Sequence, residues 1–247
     1  MTITLITHNV YWFQGCPRRW SDDQRRPHPG VVEEFVRLYE ELRPDVLCLQ
    51  EVPSRQVVDT LQTHLDMDGH YVPGGIRTEY GGAVLWRDLE VSTQDLSRTV
   101  VCPDRVFERM CMQVQIPVQG KILNLVNVHL SSDRYAPERV GEPIRMAEVR
   151  ALFSVNPGAE VIVGDFNATP DSPVHRYMED QGLVDLGLGD EENSVDGKRI
   201  DYIWVAEKCR SAAVGYRMMT EDEIRCREAP PPAGLSDHCP VIAQLEL

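Results

Sequence analysis

The chain has 247 residues, of which 42% are hydrophobic and 26% are charged, a composition typical of a globular protein rather than a fibrous or disordered one. Its net charge of −14 argues against a general duplex-DNA binder, which usually carries a basic surface. Seven scattered cysteines without CxxC spacing argue against a zinc knuckle or a disulfide framework and indicate a cytoplasmic protein.

The spacing of apolar residues predicts the elements of the first half of the chain. The segment from Val10 to Gly30, rich in Pro, Arg and Trp, is expected to be a loop. The predicted elements are, in order, a strand over 2–8, a helix over 31–42, a buried strand over 45–50, a helix over 54–65, and strands over 81–86, 91–96, 107–116 and 122–130.

The second half continues with helices and strands in alternation. No apolar run reaches the ~18 residues that a membrane span requires. No linker or repeat divides the sequence, so residues 1–247 are expected to form one domain. The protein is expected to be a monomer. The predicted elements are a helix over 138–153, a strand over 160–164, a short helix over 173–180, a solvated acidic loop over 185–196, and strands over 199–205, 212–218 and 241–246.

Strands outnumber helices by roughly two to one in this pattern, and strand pairs close in sequence are mixed with helical crossovers. Such a pattern predicts an α/β fold with two mixed β-sheets packed face to face and helices outside.

Polar residues stand at the ends of the predicted strands, where apolar neighbours do not require them. Each has a structural alternative: an asparagine can form a turn, a glutamate can cap a helix, and a histidine can be a satisfied interior residue. A carboxylate inside a strand is harder to explain without a partner. The residues concerned are Asn9, Glu51, His129, Asp165 with Asn167, Asp237 with His238 and, inside a strand, Asp201.

Asp165 and Asn167 follow the β-branched run Val161 to Val163 and precede Pro170. Residues two apart in an extended segment share a face, so both side chains are expected to point from the carboxyl end of the strand, where open α/β sheets bind ligands. The alternative is a turn that closes the strand, because Gly, Asp, Asn and Pro are ordinary turn residues.

Six short motifs in a fixed order resemble those of the endonuclease/exonuclease/phosphatase (DNase I-like) superfamily. The order and spacing are most similar to its compact tyrosyl-DNA phosphodiesterase 2-like and sphingomyelinase-like members. The resemblance implies a four-layer α/β/β/α sandwich and Mg²⁺- or Mn²⁺-dependent hydrolysis of a phosphate ester. The motifs are Thr7-His8-Asn9, Leu49-Gln50-Glu51-Val52, Asn127-Val128-His129-Leu130, Gly164-Asp165-Phe166-Asn167, Arg199-Ile200-Asp201-Tyr202-Ile203 and Ser236-Asp237-His238.

The resemblance also implies a metal site. Asn9 and Glu51 correspond to metal-site residues of the family, and Asp237 to a third ligand, often through water. This set suits a hard ion that prefers oxygen ligands. One departure is His8, at a position where many members have Trp, and it leaves the packing beneath Asn9 open.

The catalytic roles that the resemblance implies fall on five residues. His238 corresponds to the catalytic histidine and Asp201 to the carboxylate that orients it. His129 and Asn167 are expected to donate hydrogen bonds to phosphoryl oxygens, and Asp165 to position water or to protonate the leaving oxygen.

The loop from Val10 to Gly30 concentrates basic and aromatic residues in an acidic protein. Arginines match phosphate oxygens and aromatic rings offer a stacking surface, so this loop, including Trp12, Phe13 and Trp20, is expected to border the metal and select the substrate. The alternative is a surface loop whose arginines pair with Asp22, Asp23 and other acids. The arginines are Arg18, Arg19, Arg25 and Arg26.

The sequence leaves three hypotheses for the function open. The first is a metal-dependent phosphodiesterase or phosphatase acting on a small or lipid-like ester, in agreement with the acidic surface. The second is a nuclease or DNA-end-processing enzyme, supported by the arginine-rich loop and the tyrosyl-DNA phosphodiesterase likeness. The third is a binding module that has lost catalysis, against which every catalytic position is filled.

Overall fold

A computed structural model describes residues 1–17, 25–133, 141–189, 194–195, 197–226 and 233–246. Arg18, Arg19, Trp20 and the first predicted residues of the helix over 138–153 lie outside these ranges.

The strands are, in chain order, β1 (Thr2–Asn9), β2 (Val46–Val52), β3 (Asp68–Val72), β4 (Gly81–Trp86), β5 (Ser92–Asp95), β6 (Val100–Cys102), β7 (Arg105–Val106), β8 (Cys111–Val118), β9 (Lys121–His129), β10 (Val161–Asp165), β11 (Leu183–Asp185), β12 (Asp201–Ala206), β13 (Ala213–Met218) and β14 (Val241–Glu246). The α-helices are α1 (Pro29–Leu42), α2 (Arg55–Leu65), α3 (Glu142–Val155) and α4 (Pro173–Asp180).

Two six-stranded mixed sheets form the centre of the fold. The first has the order β13-β14-β1-β2-β4-β3 and the second has the order β11-β12-β10-β9-β8-β5. Each sheet contains one parallel pair, β1 with β2 and β9 with β10, and the other neighbours are antiparallel. The carboxyl ends of the parallel strands therefore set the position of any site at the strand ends.

Successive side chains along each strand point alternately into two apolar layers, one on each face of the sheet. In β10, Val161 and Val163 belong to the core between the sheets, whereas Ile162 packs with Val149 and Leu152 of α3. Alternation of this kind is the ordinary consequence of strand geometry when both faces of a sheet are buried. The predicted four-layer α/β/β/α sandwich is confirmed, with α1 and α2 on the first sheet and α3 and α4 on the second.

Several element boundaries were predicted wrongly. The strand expected over 107–116 begins only at Cys111, because the carbonyl oxygens of Phe107 and Glu108 accept hydrogen bonds from the amides of Ile76 and Arg77. The polar edge strand β3 and the short strands β6, β7 and β11 lack a clear alternating pattern and were not predicted.

None of the helices in the described part of the chain is long and apolar enough to span a bilayer.

The acidic loop expected to be solvated begins with a buried residue instead. The carboxylate of Asp185 accepts two hydrogen bonds from the guanidinium of Arg199, at 2.9 and 2.6 Å, and its Oδ2 lies 3.1 Å from Nε2 of His175. Although burial opposes ionisation, the hydrogen bonds from His175 and Arg199 hold the pKa of Asp185 below its usual value. The prediction of a solvated residue was therefore wrong for Asp185.

We expect Asp185→Asn to destabilise the protein strongly, because it leaves the buried guanidinium of Arg199 without a counter-charge. Removal of one partner of a buried ion pair typically lowers the free energy of unfolding by about 3–5 kcal/mol. Urea denaturation of both proteins at pH 7 measures the difference. Since the pKa of Asp185 is depressed on folding, the stability that its ionisation provides is present above the unfolded pKa of about 4 and is lost as the pH falls from there through the folded pKa.

The exposed pair of Arg225 and Asp222, with a 2.5 Å contact, provides the matched control. Asp222→Asn should change the free energy of unfolding by less than about 1 kcal/mol, since exposed ion pairs contribute little. An effect of Asp185→Asn as small as that of Asp222→Asn would show that the buried pair is dispensable for stability.

Candidate active site

The predicted strand-end residues meet in one polar cluster, and some of them line a cleft. The side chains of Asn9, Glu51, His129 and Asp165 project from the carboxyl ends of the two parallel strand pairs, one pair in each sheet. Glu51 and Asp165 line a cleft of about 280 Å³, together with Asp237 and His238 and further residues of the surrounding loops. The arrangement follows from the topology, because the sandwich brings these two strand edges together.

Asp165 lies at the centre of the polar cluster. Its Oδ2 accepts a hydrogen bond from the amide of Asn9 at 3.0 Å and lies 3.1 Å from Nε2 of His129 and 3.9 Å from Nε2 of His238. Burial disfavours the charged form, but His129, His238 and Arg109 outweigh it and lower the pKa of Asp165. Asp165 is therefore a buried carboxylate that stays ionised at neutral pH.

His238 and Asp201 form a buried pair. Nδ1 of His238 lies 2.7 Å from Oδ2 of Asp201, the first residue of β12. Burial favours the neutral ring, but the charges of Asp201, Asp165 and Asp237 overcome it and raise the pKa of His238 well above its usual value. The ring is consequently a cation that can donate a hydrogen bond from Nε2 into the cleft.

Arg109 is a member of the cluster that the sequence analysis did not identify. Its guanidinium contacts Nε2 of His129, donates to Oγ of Ser132 at 2.9 Å and lies 4.4 Å from the centre of the Tyr80 ring. The sequence did contain a signal for Arg109. A charged residue inside the strand expected over 107–116 requires a partner when it is buried, and the same reasoning identified Asp201.

His129 is fully buried beside this cation. Burial and the positive charge of Arg109 together lower the pKa of His129 to about 4, although Asp165 acts in the opposite direction. At neutral pH the imidazole is therefore uncharged, and its Nε2 lies between the guanidinium of Arg109 and the carboxylate of Asp165.

Glu51 is held in an unusual conformation and has an incomplete set of partners. It lies at a bulge of β2 with φ +57°, in the left-handed region that side chains rarely adopt. Its Oε2 is buried and has no hydrogen-bond partner among the described residues. Burial raises the pKa of Glu51 to about 7, and Asp237 and Asp165 add to this effect against the opposing charges of Arg109 and His238. A buried carboxylate oxygen without a donor is the environment expected for a cation ligand.

The other two predicted metal residues, Asn9 and Asp237, also lie at the cluster. Oδ1 of Asn9 accepts from the amide of Tyr11 at 3.1 Å and Nδ2 is bound to Asp165, whereas Asp237 is half-buried and lines the cleft. Within the described part of the chain, Asp165, Asp201 and His238 also offer ligand atoms within 4.8 Å of one another. This buried acidic cluster fits a divalent metal site.

Asn167 reaches the cleft through a turn and not through an extended strand. β10 ends at Asp165, Asn167 has φ +48°, and its amide N–H donates to Oδ1 of Asp165 at 2.8 Å. The turn that was considered as an alternative is therefore present, and the expectation of a shared strand face was wrong. The side-chain Nδ2 of Asn167 donates to the carbonyl of Leu130 at 3.1 Å.

The loop after β1 borders the cleft only in part. Tyr11 and Trp12, with φ of 44° and 51°, line the cleft. Phe13 was expected to border the metal but is instead buried against Phe35. The guanidinium of Arg25 lies 4.9 Å from the Trp12 ring and donates to Glu79 at 2.8 Å. Arg26 is exposed, and Arg18 and Arg19 lie outside the described residues.

Comparison with known proteins defines the class of this protein. The model of the Endonuclease/Exonuclease/phosphatase family matches residues 6–238, and the chain belongs to that family. Members of this family are hydrolases that act on phosphoester bonds.

Among curated proteins the chain is similar to protein angel homolog 1 of Homo sapiens, with 26% identity over 213 residues that cover 75% of this chain and 32% of that protein. It is also similar to protein angel homolog 2 of Danio rerio, with 25% identity over 252 residues, 91% of this chain and 42% of that protein. The chain thus spans less than half the length of these relatives.

Solved structures support the fold. The human nocturnin catalytic domain with a bound sulfate anion superposes with a TM-score of 0.74 at 16% identity, covering 99% of this chain and 93% of that one. A humanised TDP2 from D. rerio gives a TM-score of 0.70 at 16% identity, covering 100% of this chain and 99% of that one.

Proposed function

We propose that this protein is a metal-dependent phosphoesterase that uses Mg²⁺ or Mn²⁺ to hydrolyse a phosphate ester in the cleft at the carboxyl ends of the parallel strands. The observation that carries the proposal is the carboxylate of Asp165, held among Asn9, His129 and His238, together with a buried oxygen of Glu51 that has no hydrogen-bond partner in the described part of the chain. Phosphoryl transfer depends mainly on positioning and charge neutralisation, and this cluster offers both.

Glu51, Asn9 and Asp237 would hold the metal. Glu51 would supply the charged oxygen that lacks a hydrogen-bond donor, and Asn9 would supply Oδ1, which has accepted only one hydrogen bond from the described residues. Asp237, half-buried at the rim, would complete the set directly or through water. A bound divalent cation would neutralise the phosphate charge during the reaction.

The remaining residues would orient and stabilise the reacting groups. Asp165, as an ionised carboxylate, would accept a hydrogen bond from the attacking water and orient it. His238, as a cation held by Asp201, would donate from Nε2 to a phosphoryl oxygen. Arg109, which lines the cleft, would add a second positive charge beside the phosphoryl group.

A substrate screen tests this proposal. The full chain is incubated with Mg²⁺ or Mn²⁺ and one substrate at a time. The substrates are p-nitrophenyl phosphodiesters, inositol phosphates, sphingomyelin and labelled DNA. We expect hydrolysis of at least one phosphoester and its loss in Asp165→Asn, a variant of nearly unchanged shape. If none of these substrates is hydrolysed, the result counts against the proposal.

A second candidate function is cleavage of a nucleic acid. Tyr11 is half-buried and lines the cleft together with the cationic side chains of Arg109 and Lys198, and the rings of Trp12 and Tyr80, also at the cleft, are almost fully buried. Aromatic rings next to cations bind single-stranded nucleic acids through base stacking and phosphate contacts. This combination favours a nucleotide-containing ester over a plain small phosphate, in spite of the acidic net charge.

Lys198 separates the two candidates. It is exposed at the cleft, and no ion-pair partner for its side chain is present among the described residues. If the substrate is a nucleic acid, Lys198→Ala should raise KM for labelled single-stranded DNA by roughly 3- to 10-fold and weaken its salt dependence, because a phosphate contact is lost. Hydrolysis of a p-nitrophenyl diester should hardly change.

Lys121 is the matched control for this prediction. It is an exposed lysine at the start of β9, at the opposite end of the strand from His129. Lys121→Ala should leave KM unchanged for both substrates. An equal effect of the two lysine variants on DNA would indicate a general charge effect and not a contact in the cleft.

A further inference from the structure

His8, the residue that departs from the family pattern, lies buried beneath the cleft and is bound on both ring nitrogens. Its Nε2 lies 3.0 Å from the backbone carbonyl oxygen of His238, and its Nδ1 lies 2.9 Å from the hydroxyl of Tyr39 on α1. The ring also packs against Phe35, with 5.4 Å between the ring centres. His8 therefore connects α1 with the segment that carries His238.

The chemistry of these two contacts fixes the tautomer of His8. A backbone carbonyl only accepts hydrogen bonds, so Nε2 of His8 must carry the hydrogen and donate it to His238. In the neutral ring Nδ1 is then an acceptor, and the hydroxyl of Tyr39 must be its donor. The hydrogen bonds thus run in one direction, from Tyr39 through His8 to the backbone of His238.

The neighbouring residue Asn9 holds the same segment by a second contact. Its carbonyl oxygen accepts a hydrogen bond from Oγ of Ser236 at 2.7 Å, and that Oγ accepts from the amide of His238 at 3.1 Å. Two consecutive residues of β1 thereby anchor the backbone of His238 on both its N–H and its C=O side. With Nδ1 bound to Asp201, only Nε2 of His238 is left for a ligand in the cleft.

We propose that His8, oriented by Tyr39, is a positioning residue for His238: its Nε2–H fixes the backbone carbonyl of His238 and thereby the direction of the imidazole. This proposal rests on the proposed phosphoesterase function. Catalytic groups lose efficiency when they are displaced by as little as about 1 Å, so an anchor on the backbone of the histidine acts on turnover more than on substrate binding.

Two substitutions of similar size test the proposal. His8→Leu fills the space without a donor, whereas the amide of His8→Gln retains both a donor for His238 and an acceptor for Tyr39. We expect His8→Leu to lower kcat on the order of 10- to 100-fold with KM nearly unchanged, and His8→Gln to recover most of this loss. Tyr39→Phe, which removes only the orienting hydroxyl, should lower kcat less than His8→Leu does.

A spectroscopic measurement makes the test independent of turnover. The proton between Nδ1 of His238 and Asp201 is expected to give a low-field proton NMR signal, assigned by its absence in Asp201→Asn. This signal should shift or broaden in His8→Leu and persist in His8→Gln. Thermal unfolding of each variant identifies any that fails to fold. If His8→Leu does not fold, kcat and the NMR signal of Tyr39→Phe and His8→Gln are compared with those of the wild type.

The outcomes separate this inference from the proposed function. Wild-type kcat and an unchanged signal in folded His8→Leu would overturn the inference, and so would equal losses of kcat in the Leu and Gln variants. If the wild-type protein hydrolyses no phosphoester, the proposed function fails, and an unchanged NMR signal in His8→Leu would still overturn the positioning role.

Discussion

His238→Ala is expected to lower kcat for phosphoester hydrolysis by about 10²- to 10⁴-fold, the usual effect of removing a positioned acid–base group. In the structure, the ring is held by Asp201 at 2.7 Å and its Nε2 lies 3.9 Å from Oδ2 of Asp165. The alanine variant loses the cation that would donate to the phosphoryl oxygen. Steady-state kinetics on the substrate found in the screen measure the loss.

Asp201→Asn should change kcat in the same direction, because the ring of His238 then loses its orienting carboxylate and the charge that keeps it protonated. Thermal unfolding of both variants checks that the fold is retained. The matched control is His64→Ala, since His64 lies in the last turn of α2, on the outer helical layer. A near wild-type kcat in either folded variant would make the pair structural and contradict the assigned roles.

Glu51→Gln is expected to abolish measurable Mg²⁺ or Mn²⁺ binding and to reduce turnover to a comparable extent. The substitution keeps the shape of the side chain but removes the charged oxygen that has no hydrogen-bond donor among the described residues. Isothermal titration of the two proteins with either ion measures the change. A ligand that binds only the folded state also stabilises it, by about 2.7 kcal/mol at 100 times Kd, so the wild-type Tm should rise with metal while that of the variant should not.

The pH dependence of metal binding follows from the raised pKa of Glu51. Because burial raises this pKa to about 7, metal must displace a proton from Glu51 at lower pH. The wild-type affinity should therefore be constant above about pH 7 and fall as the pH decreases through that value, by at most about tenfold per unit from this group. Glu33→Gln, a change at an exposed residue of α1, should leave the curve unaltered. Unimpaired binding by Glu51→Gln would overturn the metal assignment.

Much of this site could be predicted from sequence because the signal is local. A polar residue at or next to the end of a predicted strand, as at Asn9, Glu51, His129 and Asp165, has no role in the apolar core, and parallel strands bring such ends together. The pattern of strands and helical crossovers predicted two mixed sheets packed face to face with helices outside, and the family resemblance implied the four-layer α/β/β/α order. The strand and helix pattern depends on hydrophobic periodicity, which the sequence displays directly.

The remainder depends on contacts between distant segments. Arg109 reaches the cleft because the 107–110 segment binds the 75–77 segment instead of continuing β8, and no local pattern reports that pairing. Asp185 is buried because Arg199, fourteen positions later, folds onto it, whereas its sequence neighbours suggested a solvated loop. The contact of His8 with His238 joins the two ends of the chain. Spacing alone does not contain such information.

The most direct test of the central claim is the metal dependence of hydrolysis by the wild-type chain. The substrate identified in the screen is incubated with enzyme in excess EDTA and then with increasing Mg²⁺ or Mn²⁺, in parallel with His238→Ala. We expect no turnover in EDTA, saturable recovery with the divalent ion, and almost no recovery in the variant. Full turnover in excess EDTA would contradict metal-dependent catalysis, and full turnover by folded His238→Ala would contradict the site.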